Sequence, residues 1–278
     1  MIQDIAPHRL RNEFLPDARP APGDRVFAFR ERQLLVRPDD PDGLPVCADM
    51  PEGCPLTFAF RMDGNACWLC MDEQAALPEA FAPRPVRDFR GERVARHWAF
   101  AAWTAWQLYN WYRDNRFCGR CAAKTFPAPD ERALVCPDCG RRIYPRIIPA
   151  VIVGVTNGDE ILLTRYSGRD IPYYALIAGF TEIGETLEEC VAREVMEEVG
   201  LKVTNLRYYK SQPWGIVDDL LAGFYCDVDG STEIHMDAHE LKEAVWTRRE
   251  DVVGQPNDFS LTNEMMLVFR DGKEPKQE

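Results

Sequence analysis

The sequence predicts an α/β (α+β) chain with a mixed sheet in its second half, and three observations predict it. Short apolar segments bounded by Pro and turn residues fill the first 90 positions, which reads as a small β-rich domain. Two closely spaced cysteine pairs follow. Beyond residue 147, strand-length apolar runs alternate with helical patterns, as in a sheet covered by helices.

Taken in order, residues 1–90 contain two hairpin patterns. Val26–Arg30 with Gln33–Arg37 is one, and Thr57–Arg61 with Cys67–Met71 is the other, closed by Asp63-Gly64-Asn65. Cys67 and Cys70 lie at i and i+3 of a strand, so they point to opposite faces and read as packing thiols. Cys47, Cys54, Cys190 and Cys226 also read as packing thiols. Residues 91–113 predict a linking helix: Val94, Trp98, Ala101, Ala105, Leu108 and Tyr109 fall near helical spacing. Its aromatic density (Trp103, Trp106, Trp111, Tyr112) reads as core or subunit packing rather than a cofactor box.

Residues 114–146 form a cysteine-bearing segment, and 147–272 form the α/β domain. There Ala150–Val155 and Glu160–Arg165 flank the turn Thr156–Asp159. Ala175–Phe180 is a strand, and Thr186–Val199 is a helix ended by Gly200. Val203–Lys210, Leu220–Asp227 and Ala244–Thr247 are further strands. Leu261–Phe269 is a closing helix, and 273–278 is a disordered tail.

Composition narrows the function. The 278 residues are 46% hydrophobic and 28% charged, and the net charge is -12. That is a globular composition. It disfavours general nucleic-acid binding, which needs Lys and Arg against phosphate, and an anionic membrane surface. The longest apolar runs are strand-sized, so no membrane span is expected. The N-terminus lacks a basic start followed by an apolar block, so no signal peptide is expected either, and the expected address is the cytoplasm.

Cys118 and Cys121 form one Cys-x2-Cys pair, and Cys136 and Cys139 form another. Four thiolates on two knuckles can close a tetrahedral Zn²⁺ site with no open position, which predicts a structural zinc. Gly119 and Gly140 are expected to supply backbone freedom at the knuckles. Residues 113–146 carry eight basic and four acidic residues. A solvated zinc ribbon is the favoured reading of that excess; attraction of a phosphate-bearing substrate such as RNA is the sharper one.

On the helix 186–199, Glu194, Glu197 and Glu198 fall at i, i+3 and i+4 and share one face. Val191, Val195 and Val199 form a separate, inward stripe. Three like charges on one face repel unless something offsets them. Mg²⁺ or Mn²⁺ would, since hard cations prefer oxygen ligands, and would polarise a phosphate and activate water. Arg193 can pair with a nearby acid such as Glu185. Three glutamates alone are compatible with an ordinary solvated helix. That reading leaves Gly179, Gly184, Glu185, Arg193 and Gly200 unexplained.

The run from Gly179 to Leu201, Gly-x5-Glu-x7-Arg-Glu-Val-x-Glu-Glu-x-Gly-Leu, resembles the Nudix box at every defined position. The resemblance implies a Nudix α/β/α sandwich with a mixed sheet and hydrolysis of a nucleoside diphosphate linked to another moiety. It implies that Glu194, Glu197 and Glu198 are metal-binding and catalytic, one of them serving as general base. A four-cysteine ribbon ahead of such a box, with Tyr144-Pro145-Arg146 after the last cysteine and Ser211-Gln212-Pro213-Trp214 beyond the box, resembles the bacterial NADH pyrophosphatase family over residues 90–250. That implies cleavage of NAD(H) to NMN(H) and AMP. It further implies Phe180 and Tyr144, the latter from a partner subunit, as stacking groups, Gln212 in a recognition motif, Glu240 as a further metal ligand, and a homodimer.

One stretch departs from the family pattern. Trp214 is followed by Gly215-Ile216-Val217-Asp218-Asp219 in place of Pro-Phe-Pro-x-Ser. A flexible loop at Gly215 is expected, with Asp219 placed to accept from a ribose hydroxyl. Substrate preference is therefore open to ADP-ribose, other dinucleotides or NAD-capped RNA 5′ ends. A rival from another class is a non-catalytic regulator that senses a nucleotide.

Overall fold

The computed structural model describes residues 1–40, 42–90, 94–168 and 172–276. Two compact units are distinguished. One comprises Ile2–Arg146 with Gly215–Asp218; the other comprises Met1, Ile147–Trp214 and Asp219–Glu278. The expected junction at 90–91 and the first residues of the linking helix fall on 91–93, outside the described residues, as do the last two of the expected tail.

In the first unit, β1 (Leu10–Arg11), β2 (Arg25–Arg30), β3 (Gln33–Val36), β4 (Leu56–Met62), β5 (Asn65–Cys70) and β6 (Ala82–Pro85) form one sheet. Their order is β1-β4-β5-β2-β3-β6. Both hairpins read from the sequence are present, β2 with β3 and β4 with β5. The parallel pairing of β2 with β5 joins them, a non-local contact that no local pattern encodes. Helix α1 (Arg96–Asp114) buries Ala99, Ala102, Trp103, Trp106 and Tyr109. The Phe29 ring lies 5.2 Å from Trp106 and 4.9 Å from Tyr109, and Trp103 Nε1 donates to the Val86 carbonyl at 3.1 Å. The aromatic density of this helix is therefore core packing.

After α1, β7 (Phe126–Pro127), β8 (Leu134–Val135) and β9 (Arg142–Ile143) make a three-stranded antiparallel sheet. Arg132 reaches from this segment to the Glu13 and Ala59 carbonyls at 2.6 and 2.8 Å.

The second unit is a mixed sheet between two helices. Strands β10 (Ile148–Asn157), β11 (Glu160–Tyr166), β12 (Ile177–Phe180), β13 (Val203–Trp214), β14 (Asp219–Val228) and β15 (Leu241–Arg248) build it. The order is β13-β14-β10-β11-β15, with β12 also on β10. Strand β10 pairs parallel with β14 along one edge. Along its other edge it pairs with β12 at Ala150–Val153 and with β11 at Thr156–Asn157. Strand alternation then sorts the core. Val151, Val153, Val155 and Leu162 pack with Val191, Val195 and Val199 of α2 (Leu187–Val199). Ile152, Ile161 and Leu163 pack with Leu261, Met265 and Phe269 of α3 (Leu261–Arg270). This is the α/β/α sandwich expected from the sequence. No helix among the described residues is long and apolar enough to cross a membrane.

Candidate active site

Helix α2 is positioned at both ends. Thr186 caps it by accepting from the Glu189 N–H at 3.1 Å, and the Glu189 carboxylate accepts from the Thr186 N–H at 2.8 Å. This reciprocal box satisfies two of the backbone donors that a helix start leaves open. At the other end Gly200 takes the left-handed conformation, φ 70°, and its N–H donates to the Met196 carbonyl. The valine stripe at 191, 195 and 199 is fully buried, which turns the acidic face toward β12 and the end of β11.

The three glutamates share a face but not an environment. Glu198 is 1% exposed, and the side chains of Glu194 and Glu197 are 12% and 60% exposed. Burial, aided by the charges of Glu194 and Glu240, pushes the Glu198 carboxyl up to about 8. Burial also raises Glu194. The Glu240 charge raises both. Glu198 Oε2 is buried with no hydrogen-bond donor. A buried carboxylate oxygen of that kind is costly unless a cation or donor satisfies it.

Arg193 organises the cluster. It grips both Glu185 oxygens at 2.7 and 2.8 Å, Glu194 at 2.8 Å, Glu197 at 2.9 Å and the Phe180 carbonyl at 2.9 Å. The sequence reading assigned the offset of like-charge repulsion to a metal; the protein supplies part of it through this one guanidinium. Gly179 completes the cradle. A β-carbon there would lie 1.8 Å from Glu194 Cδ, so only glycine leaves room for that carboxylate against β12.

Tyr166 escaped the sequence reading. Its hydroxyl accepts from the Ala178 N–H at 3.0 Å and lies 3.4 Å from Glu198 Oε1 and 3.3 Å from the Leu176 carbonyl. The signal was available: Leu162 faces α2, and alternation along β11 carries Tyr166 to the same face.

Phe180 and Tyr144 are both half-exposed rings, 54% and 55%. The Tyr144 hydroxyl donates to Glu131 at 2.9 Å. Gln212 is fully buried. Its amide nitrogen donates to the Phe259 carbonyl at 2.7 Å, and its oxygen accepts from the Leu261 N–H at 2.7 Å. The structure therefore places it under the start of α3 rather than at an open surface. Asp219 opens β14 and is buried as well.

In the loop after Trp214, Gly215 has a packing role. A β-carbon on it would lie 2.5 Å from the Trp103 carbonyl oxygen, so glycine is there for close approach to α1. Asp218 accepts from Arg146 Nε at 3.0 Å and also from Nη2. Gln107 donates to the Arg146 carbonyl at 3.0 Å.

The cysteine pairs converge. The sulfurs of Cys118, Cys121, Cys136 and Cys139 all lie within 4.8 Å of one another. Among the described residues this is the one group of three or more His, Cys, Asp or Glu side chains so close. The two knuckles match: the Ala122 N–H donates to the Cys118 carbonyl at 2.8 Å and the Gly140 N–H to the Cys136 carbonyl at 3.0 Å. Ala122 and Gly140 have φ of 62° and 70°. The positive-φ position of the first knuckle is therefore Ala122, not Gly119. Backbone N–H groups of Arg120 and Cys121 draw the Cys118 thiol down to about 6. Four thiols in this arrangement suit a closed structural Zn²⁺ site.

Comparison with known proteins agrees with this geometry. The NADH pyrophosphatase zinc ribbon domain matches residues 113–144, and the NUDIX domain matches residues 146–267. A protein of Citrobacter koseri named NAD-capped RNA hydrolase NudC is 45% identical over 146 residues, 52% of this chain and 56% of that protein. An Escherichia coli protein of the same name is 44% identical over the same share. The chain thus spans about half the length of these curated relatives. A NUDIX hydrolase structure from Nitrosomonas europaea aligns with 57% of this chain and 92% of its own, at 19% identity and a TM-score of 0.49. With the box residues gathered around Arg193 and the four ribbon thiols converging, the chain carries a NUDIX domain preceded by an NADH pyrophosphatase zinc ribbon domain.

Proposed function

We propose that this protein hydrolyses the pyrophosphate bond of NAD(H), giving NMN(H) and AMP. The observation that carries the reading is the acid cluster: Glu194, Glu197 and Glu198 on one face of α2, with the charge of Glu240 bearing on Glu194 and Glu198 and a buried Glu198 oxygen lacking a donor. This donor set is all oxygen and suits Mg²⁺ or Mn²⁺, and these four glutamates would hold the cation. When bound there, a divalent cation stabilises the charge that develops on the phosphoryl oxygens. The protein's own groups do the rest. Arg193 and Gly179 fix Glu194, Tyr166 abuts Glu198, and one box carboxylate takes the proton of the attacking water. The exposed Phe180 ring offers a face for a flat base or nicotinamide. Tyr144 offers a second, contributed across a homodimer. Gln212, buried against Phe259 and Leu261, acts as a positioning group for the start of α3.

The Citrobacter koseri and Escherichia coli relatives are named as hydrolases of NAD-capped RNA, which motivates a second reading with the dinucleotide at an RNA 5′ end. The ribbon favours the free dinucleotide. Arg132 is bound to backbone carbonyls, Arg142 to Asp130 and Glu131, and Arg146 to Asp218, so several of its cations are engaged within the unit.

The test is turnover of NADH, NAD⁺, ADP-ribose, diadenosine polyphosphates and a short NAD-capped RNA with Mg²⁺ or Mn²⁺, with products identified by mass. NMN(H) plus AMP, with NAD(H) preferred, is expected. Preference for the capped RNA would move the second reading forward. No turnover of any member, with Glu197→Gln altering only metal-assisted nucleotide binding, would establish a regulator.

A further inference from the structure

The first unit holds a thiol pair that the zinc ribbon does not use. Cys54 Sγ lies 3.3 Å from Cys70 Sγ, closer than the contacts Cys118–Cys139 at 3.7 Å and Cys121–Cys136 at 3.4 Å within the ribbon. The two cysteines differ in access. Cys70 is buried at the end of β5, 1% exposed, among Trp68, Leu35, Ala75 and Phe81. Cys54 is half-buried and, with Cys47 and Met50, lines an open cleft of about 380 Å³. The backbone holds both in place: the Cys54 N–H donates to the Pro51 carbonyl and the Met71 N–H to the Pro55 carbonyl, each at 3.1 Å. Cys67, on the opposite face of β5, lies outside this cluster. Cys47 does not complete a three-donor set with the pair, so the pair lacks the ligand count of a structural metal site. The thiol chemistry left to two sulfurs in contact, one reachable and one enclosed, is oxidation.

We propose that Cys54 and Cys70 form a hydroperoxide-oxidised pair that closes to a disulfide. The Cys54 thiolate attacks one oxygen of the peroxide, the O–O bond breaks, and the leaving hydroxide takes up the proton the Cys54 thiol had released, so that Cys54 sulfenic acid and one water form. The Cys70 sulfur then attacks the Cys54 sulfur, the S–OH bond breaks, and the second water leaves with the Cys70 proton. Two thiols are oxidised by two electrons, and one peroxide is reduced to two waters. The order follows from access: the cleft admits the oxidant to Cys54, and burial keeps it from Cys70. Burial also pushes the Cys70 thiol up to about 12, which leaves it inert until the sulfenic acid stands against it. The product ties the entry of β4 to the end of β5 and closes the hairpin covalently.

The test uses the full zinc-loaded chain with near-stoichiometric hydrogen peroxide, followed by alkylation of the remaining thiols and peptide mass mapping. Cleavage at Arg61 separates Cys54 from Cys70, so a disulfide joins two peptides that are otherwise free. The expected result is a cross-link with loss of two hydrogens and no added oxygen. It is absent in Cys54→Ser and retained in Cys47→Ser and Cys67→Ser. The oxidised chain should also melt several degrees above the reduced one, as a loop-closing cross-link does; Cys54→Ser should lose that shift. Oxygen addition at Cys54 without a cross-link would overturn the proposal. So would cross-links confined to Cys47, Cys67 or the ribbon cysteines. Should Cys54→Ser fail to fold, the cross-linked peptide pair in the unsubstituted chain, mapped with Cys47→Ser, still decides.

Discussion

Glu194 holds its carboxylate in the space where a side chain on Gly179 would begin, 1.8 Å from a β-carbon built there. One residue on β12 thereby sets the position of an acid on α2. The clash is with the far end of a flexible side chain, so Gly179→Ala should fold with little change in melting temperature while pushing the Glu194 carboxylate aside. Displacement by about 1 Å costs on the order of 10²-fold in rate when a positioned group is involved. Turnover and thermal melting measured on the same sample check this. A loss of stability in step with activity would show that Gly179 serves packing alone.

Arg193 makes the box pH-resistant on the acid side. Its guanidinium holds the Glu185 carboxyl down to about 2, well below the ordinary 4.5, assisted by the Glu182 N–H. A depressed carboxylate contributes stability that is present above its ordinary pKa and is lost as pH falls through the folded value. The contribution should therefore be complete above pH 4.5 and decline between 4.5 and 2. In Arg193→Gln, Glu185 returns toward its ordinary range, and that part of the acid dependence should flatten. Melting temperature against pH for the two proteins measures it, and identical curves would contradict the assignment.

The ribbon sulfurs make a metal stoichiometry testable without any activity. One zinc per chain is expected by elemental analysis. Cys136→Ser, at a fully buried position, should remove it. Structural zinc contributes on the order of 10 kcal/mol to the fold that holds it, so a strong chelator should lower the first melting transition. A chain that purifies without zinc, and melts the same with chelator, would contradict the site.

Two buried contacts near the loop after Trp214 predict stability effects of different origin. Gln212→Ala leaves the buried Leu261 N–H without the Gln212 oxygen, and an orphaned buried donor costs about 1–3 kcal/mol. Gly215→Ala forces a methyl to within 2.5 Å of the Trp103 carbonyl, where overpacking costs about 1–3 kcal/mol. Urea unfolding of both variants checks the sizes. A neutral Gly215→Ala would restore the reading of that position as merely flexible.

Elements set by local pattern were legible from the chain alone. Helix α2 with its Gly200 end, the two N-terminal hairpins and the two Cys-x2-Cys knuckles all follow from spacing and turn chemistry, because their contacts lie within a few residues. The box glutamates were placed on one helix face for the same reason. What sequence spacing could not weigh was how differently Glu194, Glu197 and Glu198 are buried, since that depends on where β11 and β12 pass. Gln212 shows the limit from the other side. Its motif pointed to recognition, and the fold put its amide under α3.

By itself, then, the sequence determined the Nudix-type box, the two cysteine pairs and the order of strands and helices in the second unit, because each rests on short-range spacing. Only the tertiary structure decided that Asp218 meets Arg146, that Tyr166 abuts Glu198, and that Cys54 and Cys70 touch. Those residues lie 72, 32 and 16 positions apart in the chain. Contacts of such separation are created by strand pairing and helix packing, which local periodicity does not specify.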